Sequence, residues 1–135
     1  MKLFDSALHR TEEALAIKQA IPQPLMGGVD FIATGCVALA FAVNPRHMHA
    51  PSRGRARVAL ARQVSMYLLH VALGLTLSQA GRVFGRDRTT AGHACKIVED
   101  MRDDETFDRL ITDLEAEMQA SVRRAIDMHE WRESA

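Results

Sequence analysis

The apolar residues of this chain recur at helical spacing along most of its length, and nowhere do they alternate as a half-buried strand would. The clearest stripe is the last. Phe107, Leu110, Ile111, Leu114, Met118, Val122 and Ile126 return every three or four residues opposite a heavily charged face, and this spacing predicts a long helix starting near Asp104. At the other end Phe4, Leu8, Leu15 and Ile21, with Ala7 and Ala14 between them, make a looser amphipathic helix. Ile21-Pro22-Gln23-Pro24 should end it in extended chain, because two prolines remove amide donors and disfavour helix before them. After a turn at Gly27-Gly28, Asp30 is placed to cap a helix from Phe31 to Val43. That segment is apolar nearly all round, so it should be buried against the main domain or a second subunit. It falls short of the roughly 20 apolar residues that cross a bilayer.

Asn44 to Gly54 reads as a linker, with Pro45, Pro51, Ser52 and Gly54 set against any helix. Arg53, Arg55 and Arg57 follow at alternate positions, and a helix from about Leu60 to Leu73 comes next. Thr76 or Ser78 then caps a short helix reaching Phe84, Gly85 and Arg86 form a turn, and Asp87 opens another helix to about Met101. The fold class is therefore all-α, a helical bundle with an N-terminal helical extension and a long C-terminal helix. No repeat or low-complexity segment interrupts it.

Composition fits that picture: 47% of residues are apolar, 25% charged and only 5% aromatic, as in an ordinary soluble helical protein. Two distant cysteines, Cys36 and Cys95, do not make a disulfide framework, and a reducing cytoplasm is the expected compartment. The first ten residues lack the hydrophobic core of a signal peptide.

Charge changes the picture more. The net charge is zero, but residues 1–30 carry −1, residues 31–96 carry +8 and residues 97–135 carry −7. Between Asp30 and Asp87 there are seven arginines and no carboxylate. A basic block confined to the middle of a chain is the electrostatic footprint of a polyanion binder.

The block holds a motif. Leu77-Ser-Gln-Ala-Gly-Arg-Val-Phe-Gly85, followed by Asp87-Arg-Thr-Thr-Ala-Gly-His-Ala-Cys-Lys96, has the layout of a helix-turn-helix. The small Gly81 lets two helices cross closely, and Gly85 can take the positive φ of a tight turn. On the second helix Ala91, Ala94, Cys95 and Val98 share one face and should pack inward. Thr89, Gly92, His93 and Lys96 fall opposite, and Arg88 projects from the first turn. Such a slim, polar, basic face suits a major groove about 12 Å wide.

The same stretch resembles the C-terminal DNA-binding domain of the bacterial replication initiator DnaA, here without the ATPase domain. The matching residues are Arg62-Gln63 leading a helix with Met66, then Phe84-Gly85-Arg86-Asp87, Thr89-Thr90 and His93-Ala94-Cys95. The resemblance covers residues 53–121 and implies an N-terminal extension and linker over 1–50, a helix-turn-helix domain over 51–121 and a helical extension over 122–135. It implies that Asp87, Thr89, Thr90 and His93 lie on or at the start of a recognition helix and that Arg62 and Gln63 hold phosphates. One of Arg53, Arg55 and Arg57 would enter the adjacent minor groove; which one stays open. Arg88 and Lys96 complete the candidate DNA-binding set. Three departures bear on the site bound rather than on binding itself. One glycine, not two, precedes Arg86-Asp87; Arg88 stands where the family has histidine; and Ala91-Gly92 replaces a bulky apolar pair.

The implied function is sequence-specific binding of double-stranded DNA at sites like the initiator's boxes, regulating replication initiation or transcription in the nucleoid. The alternative is a protein-interaction module that binds the initiator or another partner without reading DNA. A further implied partner is the initiator itself, no membrane is involved, and copies could associate through the N-terminal or C-terminal helices. No Gly-Lys pair occurs, so no phosphate loop is present and no enzymatic activity or cofactor is expected. Asp87 has a simpler role open to it as a helix cap, His93 and Cys95 as packed residues, and the three loop arginines as solvated groups. His47 and His49 with Cys36 fit no metal-site spacing. Glu99, Asp100, Asp103, Asp104 and Glu105 read as a solvated helix end, since nothing near them would exclude water or raise a pKa.

Overall fold

The computed structural model describes residues 10–51 and 54–135, and among them helices follow one another with no strand. Helices α1 (Glu12–Ala20), α2 (Gln23–Met26), α3 (Val29–Phe41) and α4 (Pro45–Met48) precede α5 (Ala56–Val71), α6 (Leu77–Val83), α7 (Arg88–Met101) and α8 (Glu105–Ser134). Several helix starts are set by a side-chain oxygen that takes an otherwise unpaired amide of the first turn. Thr11 accepts from the N–H of Ala14 at 2.9 Å, Asn44 from Arg46 at 3.0 Å and Asp104 from Phe107 at 2.9 Å. At α6 the cap is Thr76 rather than Ser78: Thr76 Oγ1 accepts from the Gln79 N–H at 3.1 Å, and Gln79 Oε1 accepts from the Thr76 N–H at 2.9 Å.

Several boundaries differ from those the pattern suggests. Asp30 does not cap α3; the helix starts at Val29 after Gly28, and Asp30 lies in its first turn, accepting from the Phe31 N–H at 3.0 Å. Pro24 and Pro45 sit at the opening of short helices instead of forcing extended chain, because a first-turn proline has no helical amide bond to lose. Helix α5 begins at Ala56, ahead of Leu60, so Arg55 is its N-cap and Arg57 lies in its first turn. Alanine and arginine are good helix formers, and nothing in Ala56–Leu60 opposes helix. Phe4, Ala7 and Leu8 lie outside the described residues.

At the centre of the packing is α5, whose residues from Val64 to Val71 are all buried. It lies against α3, α4, α6 and α7, while α8 covers α3 and α1. One continuous core joins Val37, Tyr67, Leu69, Phe84, Cys95, Ile111 and Met118, so helices from both sides of residue 50 share it. The stripe of α8 faces inward as its spacing predicts, with Ile111, Leu114, Met118, Val122 and Ile126 buried. Helix α3 is covered on one side only: Val29, Ala33 and Val37 are core, but Phe31 and Leu39 remain 75% and 84% exposed. By length and composition Gln23–Phe41 is apolar enough to cross a membrane, yet the chain turns at Gly27-Gly28 and the inward side of α3 is core.

Arg102, at the α7–α8 turn, ties three helices together. Its Nε donates to Asp108 at 2.5 Å, Nη1 to Glu115 at 2.6 Å and to the Tyr67 hydroxyl at 3.0 Å, and Nη2 to Thr112 at 3.0 Å. Tyr67 in turn donates to Glu99 at 2.7 Å. Burial would lower the pKa of Arg102, but the bonds to Asp108, Tyr67 and Glu115 carry it above the usual guanidinium value. Removing the hub leaves Glu115 and the half-exposed Asp108, with the Tyr67 hydroxyl, without their donor. Arg102→Met should therefore cost about 2–3 kcal/mol, read from the urea midpoint at pH 7. An unmoved midpoint would mean the network adds nothing to stability.

Candidate nucleic-acid interface

Two glycines shape the turn between α6 and α7. The Gly81 carbonyl accepts from the Phe84 N–H at 3.0 Å and the Arg86 N–H at 2.9 Å, folding the chain back on itself. A Cβ on Gly81 would lie 2.7 Å from the Arg86 oxygen and 2.8 Å from the Asp87 oxygen, so only glycine permits this approach. Gly85 takes φ +67, which one intervening glycine supplies without a second. Asp87 is the N-cap of α7, its Oδ1 accepting from the Thr90 N–H at 2.8 Å. Hydrogen bonding from the Thr90 amide, followed by the Thr90 hydroxyl, holds its carboxyl below the usual carboxylate range.

Helix α7 is two-faced. Ala91, Ala94, Cys95 and Val98 are buried, and burial, with the charge of Glu99 adding to it, pushes the Cys95 thiol up to about 12. Arg88, Thr89, Thr90, His93 and Lys96 are exposed beside the exposed Asp87. Gly92 does not belong to that outward face. It is half-buried toward α6, where a Cβ would lie 3.6 Å from Leu77 Cδ1.

Opposite α7, helix α5 supplies the second wall of a cleft of about 410 Å³, in which Arg62, Gln63, Arg86, Thr90 and His93 come together. Gln63 is half-buried there. Arg62 is not the exposed phosphate ligand its position suggests. It is 5% exposed, and its Nε donates to the Met48 carbonyl at 2.6 Å and its Nη2 to that of His47 at 3.2 Å. An arginine in the middle of a buried helix must satisfy its donors internally, and the C-terminal carbonyls of α4 do so. Desolvation, and then the nearby charge of Arg86, lower its pKa.

Arg55 and Arg57 are exposed at the N-terminal end of α5 and border a neighbouring cleft of about 420 Å³ with His47. Arg53 lies outside the described residues. Arg86, which the sequence places in the turn and in the matching motif without a role at the site, reaches with its side chain the carbonyls of Phe84, Ala50 and Pro51. The signal was its place between Gly85 and the cap Asp87, which its local sequence explains without any distant contact. His49 stacks on Phe84, with ring centroids 4.8 Å apart.

A turn this tight, capped by Asp87 and followed by an exposed basic helix face, is the arrangement of a helix-turn-helix, and comparison with known proteins places it. Residues 33–98 match the family described as bacterial dnaA protein helix-turn-helix. These residues resemble a DnaA-type helix-turn-helix domain. The match begins earlier and ends sooner than residues 53–121: it takes in most of α3 and all of α4 and stops before α8. The chromosomal replication initiator protein DnaA of Thermomicrobium roseum is 43% identical over 67 residues, covering 48% of this chain and 14% of that protein. That of Symbiobacterium thermophilum is 37% identical over 108 residues, covering 78% of this chain and 23% of the relative. A second DnaA of Chlamydia pneumoniae is 30% identical over 112 residues, 82% of this chain and 25% of the relative. The chain thus spans a quarter or less of the length of these relatives. A DnaA-type domain of this kind is a DNA-binding fold, not a catalytic one.

Proposed function

We propose that this chain binds double-stranded DNA by laying α7 in the major groove, at sites related to the initiator's boxes, and so regulates replication initiation or transcription. The observation that carries the reading is the exposed face of α7. It gathers Arg88, Thr89, Thr90, His93 and Lys96, and the carboxylate at its start, Asp87, is held at the cap by the Thr90 amide. On this reading Arg88, Thr89, Thr90 and His93 meet base edges. Lys96, Gln63, Arg55 and Arg57 meet phosphates or, together with Arg53, supply the group that enters the minor groove. Arg62 contributes chiefly by holding α4 in place. The chain then acts without catalysis or cofactor, in the cytoplasm on the nucleoid, and shares sites or contacts with the full initiator.

Arg88 gives the sharpest test. An arginine in the first turn of a recognition helix can bond to guanine O6 and N7 together, which is worth about 1–3 kcal/mol of discrimination. Selection from randomised duplexes should return a site related to the initiator's box with guanine favoured opposite residue 88. Arg88→His should shift the preference toward the initiator's own box and Arg88→Ala should flatten it. The same preferred sequence from all three proteins would show that Arg88 reads no base, and no enrichment from any of them would favour a protein partner instead.

A further inference from the structure

The chain entering α5 is gripped by side chains from the helix-turn-helix core. Arg86 stands in the α6–α7 turn, and its Nη1 donates to the Phe84 carbonyl of that turn at 2.7 Å and to the Ala50 carbonyl at 3.0 Å. Its Nη2 reaches the Pro51 carbonyl at 3.5 Å. Arg62 holds the carbonyls of His47 and Met48 just upstream. Two guanidiniums therefore fix the end of α4, at His47 and Met48, and the Ala50-Pro51 stretch after it. Arg86 does so from a position two residues before Arg88, while the segment it holds leads to Arg55 at the N-cap of α5. A planar fork with several donors sets such a spacing in a way a single ammonium does not.

We propose that Arg86 is a positioning residue that sets the separation between the recognition face of α7 and the basic N-terminus of α5, so that both engage adjacent grooves at once. The inference rests on the DNA-binding reading above. Its physical basis is preorganisation: a segment already ordered in the free protein does not have to be ordered on binding. Arg86 need touch no base to do this.

Dimethyl sulfate tests it, because the reagent methylates guanine N7 in the major groove and adenine N3 in the minor groove. On its selected duplex the full wild-type chain should protect both. Arg86→Gln, shown to be folded by circular dichroism and a cooperative melt, should keep the guanine protection, lose the flanking adenine protection and bind about tenfold more weakly. Arg86→Lys keeps the charge but not the fork, so it should give the same split, and it carries the comparison if the glutamine variant does not fold. Retention of both protections in a folded variant, or their loss in step, overturns the positioning role. So does full rescue by lysine, which would make charge rather than geometry the cause. A wild type that protects neither groove overturns the DNA-binding reading and this inference with it.

Discussion

Gly81→Ala is expected to cost about 3 kcal/mol and to lower the melting temperature by roughly 10 °C. The added Cβ would sit 2.7 and 2.8 Å from the carbonyl oxygens of Arg86 and Asp87. Those are backbone atoms, so relief requires the turn itself to open. Opening it lengthens the bond from the Arg86 N–H to the Gly81 carbonyl, now 2.9 Å, and displaces the cap of α7. Recognition should suffer along with stability, since α7 can no longer be presented at its present angle. Gly92→Ala is the matched control, because its Cβ would meet only Leu77 Cδ1 at an ordinary 3.6 Å. Filling that helical glycine should raise stability by up to about 1 kcal/mol. Thermal melts of the two variants decide the matter: equal shifts would show that the close approach at Gly81 is not what requires glycine there.

The second large effect is on affinity. Among the described residues four cations stand exposed along the proposed contact: Arg55, Arg57, Arg88 and Lys96. If Arg55, Arg57 and Lys96 meet phosphates while Arg88 reads a base, the log–log dependence of the association constant on salt should have a slope of about −2 to −3, and affinity should fall roughly 40-fold between 50 and 200 mM salt. Arg62 and Arg86 are left out of that count because their guanidiniums are engaged with backbone carbonyls. Replacing Arg55 and Arg57 with alanine together should make the slope shallower by about 2 and weaken all duplexes alike, as phosphate contacts carry no sequence information. Fluorescence anisotropy with a labelled duplex measures both. A slope near zero with affinity retained would exclude phosphate neutralisation and with it groove binding, and no binding to any duplex would leave the rival reading, an acidic protein surface, in its place.

The sequence by itself determined the parts of this protein that depend on local chemistry. The inward stripe of α8 from Ile111 to Ile126, the caps at Asp87 and Asp104, and the Gly81–Gly85 turn are each set within a few residues, so spacing and side-chain type suffice to read them. The two faces of α7 followed in the same way, except that Gly92 turns toward Leu77. Tertiary structure decided what happens where local signals are permissive. Ile21-Pro22 does end α1 in extended chain, but Pro24 and Pro45 open α2 and α4, because a first-turn proline is compatible with helix and packing supplies the rest. Whether α3 is buried all round was a matter of how many neighbours it meets, and α5 and α8 cover one side, leaving Phe31 and Leu39 in the open. The arginines show the limit most clearly. Arg55, Arg57, Arg62, Arg86 and Arg88 look alike in the sequence as members of one basic block. A guanidinium's role is set by which acceptors lie within reach, however, and for Arg62 and Arg86 those are carbonyls of His47, Met48, Ala50 and Pro51, brought close only by the packing of α4 and α5.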